Sequence, residues 1–411
     1  MAGPDGHTGN GLRQPAPAIA GAETRYDVVV IGGGVMGCGA AFHLAKGGMR
    51  VALLERGRLC REASGANAGG LTMHDKSPAM MAYYMRAREM WMDAPRWLGR
   101  DAGARTVGGM WLAFSEAEAE RIQKGMAERV AAGCPIEAMR LNQARTIEPH
   151  LSSKVVLATY SPLDGYGNST LTGEVYTHAL GAAGVDVRIL TEVCDVHQDG
   201  DGWAVSVRPM TDSPSGENGR APLPRAGAPA GHVRAKRIVL AGGVWLRDMG
   251  RWFGLDVPVL CDTKQMVVSE RMPRVVNTVM RIANQRLSIK QVANGTVLFG
   301  GGWPAEGTPA TGKQGIIPAA FVGNIRAGLY AIPALKGTRL VRSWVGLEQF
   351  VADRQPMVGA IPGAPGAFII GGCVAGYTIS PYLTLLLAQL ILGQEPERPL
   401  FAPDRYQRKA A

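Results

Sequence analysis

Several features that mark common protein classes are scarce or absent in this sequence. Only six cysteines are spread over 411 residues, and none forms a C-x-x-C pair or a metal-type cluster. This usage argues against a disulfide framework, a bound metal or an iron–sulfur site in the chain, and it favours a reduced, cytoplasmic protein. The net charge is +10, but the basic residues are scattered, so no dense block indicates nucleic-acid binding. The positive surface serves either solubility or the attraction of anionic substrates and acidic partners.

Long apolar runs and targeting signals are also missing. The most hydrophobic run, residues 382–392, is too short to cross a bilayer and predicts a core helix. Residues 1–24 are rich in Gly, Pro and Ala, and we expect a disordered tail without a signal peptide. Residues 211–231 are polar and rich in Pro and Gly, which predicts a mobile insertion between two strands.

Glycine is abundant, with 55 residues, and it is most informative near the start of the chain. An apolar strand, DVVVI, leads into Gly32, Gly34 and Gly37, which fit the pattern G-x-G-x-x-G. In such a motif the first glycine makes a tight turn, the second lets the backbone approach a pyrophosphate, and the third packs helix against strand. A helix over residues 35–46 would point its amides at that phosphate. Glu55 ends the next apolar strand, where an acid accepts the ribose hydroxyls of an adenosine.

The stretch after Glu55 favours FAD over NAD. Residues 56–70 read RGRLCREASGANAGG, a loop of small residues whose amides and short polar side chains leave room for a large ligand. A nicotinamide enzyme would normally continue its alternating strands and helices here. Two later segments repeat the strand-and-glycine pattern, AKRIVLAGGVW from residue 235 and IIGGCVAGYTISP from residue 369. The proline that ends the second segment, Pro381, is expected in the first turn of a helix.

Taken in order, the glycine motif, the loop and the two later turns resemble the FAD-dependent amino-acid oxidase family, which includes glycine oxidase, sarcosine oxidase and D-amino-acid dehydrogenases. The resemblance extends over residues 25–402. It implies an α/β fold in which a Rossmann-type FAD-binding domain is interleaved with an α+β substrate domain built on an antiparallel sheet. The implied division is residues 25–92, 155–250 and 341–402 for the FAD-binding domain and residues 93–154 and 251–340 for the substrate-binding domain.

Within this family, residues 289–304 are most similar to the flavin (beta) subunits of hetero-oligomeric opine, hydroxyproline and sarcosine dehydrogenases. The resemblance therefore implies small and iron–sulfur partner subunits, with any FMN or iron–sulfur cluster held only by those partners. Monomeric sarcosine oxidases carry an oxygen-activating lysine and a flavin-anchoring cysteine near this sheet, and residues 298–303 contain neither. This absence argues for non-covalent FAD and for electron transfer to a partner rather than to oxygen.

The resemblance also implies which residues hold FAD. The backbone at Val193 would hold the adenine. The C-terminal glycine turn would bring amides and a helix dipole to the pyrimidine edge of the flavin, where partial positive charge stabilises the reduced anion. The predicted cofactor-binding set is Gly32, Gly34, Val35, Met36, Gly37, Glu55, Arg56, Ser64, Gly65, Asn67, Ala68, Gly69, Gly70, Val193, Ala241, Gly242, Trp245, Gly346, Gly372, Gly376, Tyr377 and Thr378.

Substrate selection is expected from RSWVGLE and DRQPMVG, which begin at residues 342 and 353 and resemble the family stretches Arg-x-Trp-x-Gly-Leu-Arg-Pro and Asp-Gly-x-Pro-x-x-Gly. Glu348 stands where the family often has the arginine that grips a substrate carboxylate, and Arg354 stands where glycine is usual. An acid there would repel a carboxylate and favour a guanidinium or ammonium group, with Arg354 or Lys290 supplying the carboxylate contact. The alternative is that Glu348 pairs with Arg354 or Arg342 and never meets substrate.

The flavin carries the chemistry in this family, so no dedicated base is required. The candidate catalytic residues are His74, Lys290, Glu348 and Arg354, and the candidate substrate contacts are Lys290, Trp303, Trp344, Glu348, Arg354 and Tyr377. His74, shortly after the flavin loop, either faces the flavin ring or is a polar surface residue.

Three functions remain open at this stage. The first is a FAD-dependent dehydrogenase of a secondary amine, imino acid or amino acid, which transfers a hydride from the amine-bearing carbon and is the catalytic subunit of a complex. The second is a self-sufficient amino-acid oxidase that produces hydrogen peroxide. The third is a flavin-binding electron-transfer subunit without turnover of its own. Reduction of bound flavin by an amine separates the third from the others, and peroxide formation by the purified chain separates the first two.

Overall fold

The computed structural model describes residues 25–210, 230–284 and 286–409. The predicted tail, residues 1–24, and most of the predicted insertion at 211–231 lie outside the described residues. Within the described residues, strands and helices alternate as expected for an interleaved α/β fold. No helix in these segments is long and apolar enough to cross a membrane.

The strands of the described segments are, in chain order, β1 (Arg25–Ile31), β2 (Val51–Leu54), β3 (Gly70–Leu71), β4 (Arg105–Thr106), β5 (Gly109–Ala113), β6 (Glu137–Arg140), β7 (Leu157–Ser161), β8 (Gly165–Tyr166), β9 (Asp186–Arg188), β10 (Thr191–Asp199), β11 (Gly202–Pro209), β12 (Gly231–Leu240), β13 (Val259–Arg271), β14 (Val279–Ile282), β15 (Ser288–Gln291), β16 (Thr296–Gly300), β17 (Ala305–Thr308), β18 (Gly312–Ile316), β19 (Leu340–Val351), β20 (Met357–Ala360) and β21 (Ala367–Gly371).

The α-helices of the same segments are α1 (Val35–Lys46), α2 (Ala63–Ala66), α3 (Met81–Met92), α4 (Ala94–Trp97), α5 (Glu116–Ala131), α6 (Leu141–Ile147), α7 (Ser169–Ala182), α8 (Leu246–Gly250), α9 (Pro318–Ala331) and α10 (Gly376–Ile391). The helix predicted over residues 35–46 is confirmed as α1. The apolar run at 382–392 is confirmed as part of a core helix, since most of α10 is buried.

The first sheet joins eight strands in the order β10-β11-β12-β1-β2-β9, with β21 also beside β12 and β20 beside β21. β1 lies between β2 and β12 and pairs with both in parallel. Its side chains enter the core on both faces, Val28 and Val30 on one and Val29 and Ile31 on the other. Because the chain leaves β1 on one side and returns on the other, the carboxyl ends of these strands open a crevice suited to a ligand.

The second sheet joins eight strands in the order β19-β13-β16-β15-β14-β5-β7-β6. Val267, Ile289 and Phe299 are paired across three of them and are buried, and Phe299 packs against Gly328 of α9. Residues one place along each strand point to the opposite face. That face carries Arg281, Lys290, Leu298, Met266, Trp344, Gly346 and Glu348. We call it the loop-facing face, because it contacts the loop at residues 63–70.

Two strands cross the predicted domain division. In the second sheet β7 pairs with β5 and β6, and β19 pairs with β13, although residues 155–250 and 341–402 were assigned to the FAD-binding domain. Local apolar patterns show that a strand exists but not which distant strand is its partner. We therefore propose that the FAD-binding segments begin after β7 and after β19 rather than at residues 155 and 341.

Pro381 lies inside α10 and not in its first turn, so that expectation was wrong. A proline inside a helix has no N–H for the carbonyl four residues earlier. Here that carbonyl belongs to Tyr377, and it accepts hydrogen bonds from Trp91 Nε1 and Ser380 Oγ, each at 3.0 Å. The buried helix tolerates the proline because neighbouring side chains replace the missing donor.

Candidate active site

The turn between β1 and α1 is closed around glycines. Gly32 adopts φ +107°, and a Cβ there would lie 2.6 Å from the carbonyl oxygen of Ala241. A Cβ on Gly37 would overlap the carbonyl oxygen of Gly32. Gly34, just before α1, is extended and half-buried. The turn therefore requires glycine at two positions, and it leaves the entrance to α1 partly open to solvent.

Two polar side chains lie against this turn. Ser64 Oγ accepts a hydrogen bond from the Val35 N–H at 2.9 Å, at the N-terminus of α1. Glu55 accepts hydrogen bonds from the N–H groups of Gly33 and Gly57, each at 2.6 Å. Burial raises the pKa of Glu55, and the two N–H groups act in the opposite direction. A hydroxyl and a carboxylate thus border a helix N-terminus, where positive partial charge favours a phosphate.

Two residues of the predicted cofactor-binding set meet although they are distant in sequence. The Arg56 guanidinium carbon lies 3.7 Å from the centroid of the Trp245 ring. The Thr191 N–H donates to the Glu55 carbonyl at 2.9 Å, which brings the start of β10 beside the acid. Val193, two residues further along β10, is half-buried against the core of the first sheet. The structure therefore brings the predicted ribose and adenine positions to one end of the crevice.

The loop at 63–70 is shaped by its own side chains. Asn67 Nδ2 donates to the carbonyl of Ser64 at 2.6 Å, and Asn67 Oδ1 accepts from the Gly69 N–H at 2.6 Å. Gly69 has φ +64°. A Cβ on Gly70 would meet no heavy atom within 4 Å. Asn67 thus holds the shape of the loop, and the position of a Cβ on Gly70 is free of neighbouring atoms.

The C-terminal glycine turn is tied to both sheets. Gly372 has φ +65°, and its N–H donates to Gln349 Oε1 on β19 at 3.1 Å. Ala375, also at positive φ, precedes α10. Thr378 Oγ1 donates to the carbonyl of Gly70 at 2.7 Å. The first turn of α10 therefore lies beside Gly70, which belongs to the predicted cofactor-binding set.

The side chain of Tyr377 is enclosed in the core. Its ring stacks on Trp91 with centroids 4.7 Å apart and planes at 14°, and its hydroxyl lies 3.0 Å from Thr172 Oγ1. Burial raises the pKa of this hydroxyl well above its usual range. Because both the ring and the hydroxyl are engaged, we do not retain Tyr377 as a proposed substrate contact. Its backbone remains at the start of α10, within the predicted cofactor set.

The loop-facing face of the second sheet touches the same loop through three predicted residues. Trp344 Nε1 donates to the carbonyl of Ala66 at 2.8 Å. A Cβ on Gly346 would lie 3.0 Å from the Ala66 Cβ. Lys290 Nζ donates to the carbonyl of Ala68. The second sheet thus contacts this loop directly. Residues predicted to bind substrate and residues predicted to bind FAD are therefore in contact with one another.

Lys290 is buried, with only 3% of its surface exposed. Burial lowers the pKa of its amine to about 7. Its Nζ also lies 4.7 Å from the centroid of the Tyr166 ring. Lys290 is paired with Leu298 on the neighbouring strand, so both project from the loop-facing face. A lysine amine therefore lies on the same face as residue 298, although residue 298 itself is leucine.

Glu348 is exposed on the same face and is paired across the strands with Asp262. Loss of hydration against the sheet raises the pKa of its carboxyl, and the charges of Lys264, Arg281 and Arg354 partly oppose this effect. Lys264 itself is engaged, with Nζ 2.6 Å from Asp262 Oδ2. In the described part of the chain, Glu348 forms no ion pair with Arg342 or Arg354. The alternative that Glu348 pairs with Arg354 or Arg342 therefore has no ion pair behind it, although the charge of Arg354 lowers the pKa of Glu348.

Arg354 lies in a turn just after β19 and is exposed, with φ +57°. Its N–H donates to the carbonyl of Val351 at 2.9 Å, which closes the turn. A positive φ is adopted at little cost only by glycine. The positive φ at this position explains why the resembling family usually has glycine there. Arg354 adopts that positive φ although it carries a side chain.

Two further predicted residues are placed away from an open site. His74 is 3% exposed, so the surface alternative was wrong, and its Nδ1 lies 3.3 Å from Asp164 Oδ2. Asp164 Oδ1 accepts the Met73 N–H at 2.7 Å. Trp303 packs its ring against Gly323 of α9, on the side of the sheet opposite the loop. His74 is therefore buried beside Asp164, and Trp303 is half-buried on the face opposite the loop.

The sequence analysis missed three polar residues at this junction. Gln349 binds the C-terminal turn, and its only sequence signal was its position directly after Glu348. Asp75 and Arg281 form an ion pair of 2.7 Å between the end of the loop region and β14. Since these two residues lie in distant segments, no local pattern relates them.

The geometry defines a dinucleotide-binding protein of the Rossmann type, with its glycine turn, its acid and its open crevice at the switch point of a parallel sheet. The chain belongs to the family described as FAD dependent oxidoreductase (DAO), whose model matches residues 27–390. This confirms the resemblance seen in the motifs, and it makes the protein a FAD-dependent oxidoreductase. The residues present fit that cofactor, because Ser64 and Glu55 lie against the glycine turn at the N-terminus of α1 and a Cβ on Gly70 would meet no heavy atom within 4 Å.

Curated relatives extend over nearly the whole chain. Glycine oxidase of Geobacillus kaustophilus is 26% identical over 380 residues, which are 90% of this chain and 94% of the relative. One of the subunits of opine oxidase from Rhizobium meliloti is 25% identical over 399 residues, or 94% and 99% of the two chains. Mitochondrial sarcosine dehydrogenase of Mus musculus is 26% identical over 413 residues, which cover 96% of this chain and 42% of that protein.

Solved structures agree on the fold. Glycine oxidase from Geobacillus kaustophilus superposes with a TM-score of 0.80 at 24% identity, covering 91% of this chain and 96% of that one. L-proline dehydrogenase from P. horikoshii gives a TM-score of 0.81 at 20% identity, covering 94% and 99%. The α/β architecture predicted from the motifs is therefore confirmed.

Proposed function

We propose that this protein dehydrogenates a secondary amine or an imino or amino acid of the opine, hydroxyproline, proline or sarcosine type, and that it is the catalytic flavin subunit of a complex. Bound FAD would accept the hydride from the amine-bearing carbon, and the protein would orient the substrate and exclude water. The relatives' names support the amine class, since glycine oxidase, the opine oxidase subunit and sarcosine dehydrogenase match most of the chain.

The observation that carries the finer proposal is the position of Glu348. It is exposed on the loop-facing face, it has no arginine partner in the described residues, and it stands beside Gly346 and Trp344, which touch the loop. A carboxylate so placed attracts a cationic group and repels a substrate carboxylate. This favours an opine with an arginine-derived portion over a simple amino acid such as glycine.

Each side chain at the junction has a proposed task. Trp344 and Gly346 hold the loop against the second sheet, so that the loop keeps a fixed shape beside the proposed substrate position. Lys290, whose amine has its pKa lowered to about 7, can accept a proton from an incoming ammonium group and leave a neutral amine. The N-terminus of α10 supplies positive partial charge on the cofactor side.

The partner subunits belong to the proposal. The opine oxidase subunit is matched over 99% of its length, which supports the role of one subunit among several. We propose small and iron–sulfur partner subunits, non-covalent FAD in this chain and a cytoplasmic location. Purification of the native complex by a tag on this chain, followed by iron and flavin analysis, would establish its composition.

Lys290 favours a second candidate, the self-sufficient oxidase. Its buried amine lies on the same face as Leu298. Lys290 can therefore take the place of the oxygen-activating lysine that residues 298–303 lack. Such an amine next to the flavin could promote transfer of electrons to oxygen. The purified single chain would then produce hydrogen peroxide in proportion to the amine it consumes, whereas the dehydrogenase subunit would produce little.

The function is tested by anaerobic mixing of the purified holoenzyme with a panel of amines while the visible flavin band is followed. The panel contains sarcosine, L- and D-proline, both hydroxyprolines, D-alanine, glycine and an arginine-derived opine. We expect the opine to bleach the flavin fastest, and slow recolouring in air would support a dehydrogenase. A protein whose flavin no amine reduces, even with its partners present, would instead be an electron-transfer subunit.

A further inference from the structure

Besides Glu348, the loop-facing face borders a cluster of charged side chains. The cluster consists of Asp75, Lys76 and Arg281. Lys76 Nζ lies 2.6 Å from Asp75 Oδ1, and Arg281 Nη1 lies 2.7 Å from Asp75 Oδ2. Thr72 Oγ1 also donates to Asp75 Oδ1, at 2.8 Å. Burial alone would raise the pKa of Asp75, but the charges of Arg281 and Lys76 hold it well below its usual range. Asp75 is therefore an anion that holds both cations in place.

The charges of this group do not cancel. Two cations share one carboxylate, and in the described segments neither cation has a second acidic partner. The side chains of Lys76 and Asp75 are only 6% and 15% exposed, whereas that of Arg281 is 35% exposed. A partly buried excess of positive charge is costly unless an anion balances it. Arg281 is the member through which an anion from solvent can reach the group.

The group lies beside the predicted substrate position. Asp75 follows the loop whose Gly70 carbonyl is bound by Thr378 of α10. Arg281 projects from the same face of the sheet as Lys290, which binds that loop. The charge of Arg281 also lowers the pKa of Glu348, yet the two side chains do not form an ion pair. Arg281 and Glu348 thus lie on the same face of the second sheet without contact, with three strands between them.

We infer that Arg281 binds the carboxylate of the substrate, while Asp75 positions its guanidinium and Glu348 receives the cationic group at the other end. This inference rests on the proposed function and deepens it. The substrate class is an amine that carries one carboxylate and a separate cationic group. The planar guanidinium has donors beyond the one used by Asp75, as two-point binding of a carboxylate requires.

Arg281 is a better carboxylate contact than the two residues expected from the sequence. Lys290 donates to the Ala68 carbonyl, and burial lowers its pKa to about 7, so it is a weak cation near neutral pH. Arg354 lies on an exposed turn, and its long side chain has no acidic partner in the described residues to orient it. Of these three residues, Arg281 is the one that combines an orienting carboxylate with partial exposure.

The test measures binding of small carboxylates to the holoenzyme by the change they cause in the flavin spectrum. The probes are acetate and pyrrole-2-carboxylate, a planar acid without a hydride to give, and the neutral control is pyrrole-2-carboxamide. We expect Arg281→Gln to raise the Kd of both acids by about 10- to 100-fold, because a charge-assisted contact is lost. Arg281→Lys should recover part of this loss, and the carboxamide should bind all variants alike. Arg271→Gln, an exposed arginine on β13 of the same sheet, is the matched control.

The possible outcomes separate this inference from the proposed function. Equal Kd values for native enzyme and Arg281→Gln, or no binding of either acid to native enzyme, would overturn the carboxylate site. If Arg281 is only structural, Arg281→Gln will lower the melting temperature or the FAD content and weaken acid and amide equally, which also overturns it. If the acids respond as expected but no amine reduces the flavin, the site stands and the proposed reaction fails.

Discussion

The glycine turn of the first sheet and the loop-facing face of the second sheet differ in what restricts their residues. At the turn, a Cβ on Gly37 would overlap the carbonyl of Gly32, so the backbone itself fixes the sequence. On the loop-facing face, Glu348 and Arg281 are partly exposed and can be exchanged without a backbone clash. The proposed cofactor side is therefore constrained by shape, whereas the proposed substrate side is set by charge.

The largest effect is expected for Gly37→Ala at the glycine turn. The added methyl group overlaps a backbone oxygen that cannot move without opening the turn. We expect a loss of about 3 kcal/mol in the free energy of unfolding and little retained FAD. Urea denaturation and the ratio of flavin to protein measure both effects. Gly181→Ala on α7, where a Cβ meets nothing within 4 Å, is the control and should be neutral or stabilising.

Substitution of Glu348 tests whether charge on the loop-facing face determines which amine is oxidised. Glu348→Gln should lower kcat/KM for the arginine-derived opine by about 10- to 100-fold, with the FAD content unchanged. Because the pKa of Glu348 is raised, KM for a cationic substrate should fall as the pH rises through that pKa and the carboxylate forms. Glu270→Gln, at an exposed acid on β13, is the matched control. An unchanged kcat/KM for Glu348→Gln would mean that this acid does not meet substrate.

Lys290 gives a prediction about stability and pH. Its pKa is about 7 in the folded protein and near 10.5 in the unfolded chain, so the unfolded state binds more protons between these values. The native protein should therefore gain stability as the pH rises from 7 toward 10.5. Relative to Lys290→Met, the gain between pH 7 and pH 9 is about 2 kcal/mol. Parallel urea titrations of the two proteins check it, and a difference that does not change with pH would contradict the buried neutral amine.

The smallest effect is expected at Arg354. Its φ of +57° strains any residue with a Cβ, so Arg354→Gly should raise the free energy of unfolding by about 1 kcal/mol. Arg354→Ala keeps the strain and should not be stabilised. Thermal melting of the two variants separates the backbone effect from the loss of the side chain. Flavin reduction by the preferred amine should be unchanged in both, since this account gives Arg354 no substrate contact.

The cofactor half could be predicted from the sequence because its constraints are local. The strand, the glycine turn, the helix at 35–46 and Glu55 follow one another, and each is recognisable from neighbouring residues. The later turns near Ala241 and Gly372 are likewise marked by their own glycines. Pro381 was misplaced because its tolerance inside α10 depends on Trp91, which comes from a distant helix.

The substrate half was only partly predictable. Glu348 was noticed because it departs from a family pattern, but whether it had a partner depended on pairing between β19 and β13. Arg281 and Asp75 were missed because their meeting depends on the order of strands in the second sheet. His74 was left between two alternatives, since burial beside Asp164 is a tertiary property.

The central claim is that charge on the loop-facing face selects a cationic amine. The most direct measurement compares anaerobic flavin reduction by the arginine-derived opine and by sarcosine in the native holoenzyme and in Glu348→Arg, which restores the residue usual in the resembling family. The account predicts that the opine is faster in the native enzyme and that the order is reversed in the variant. Faster reduction of the native enzyme by sarcosine, or the same order in both proteins, would contradict it.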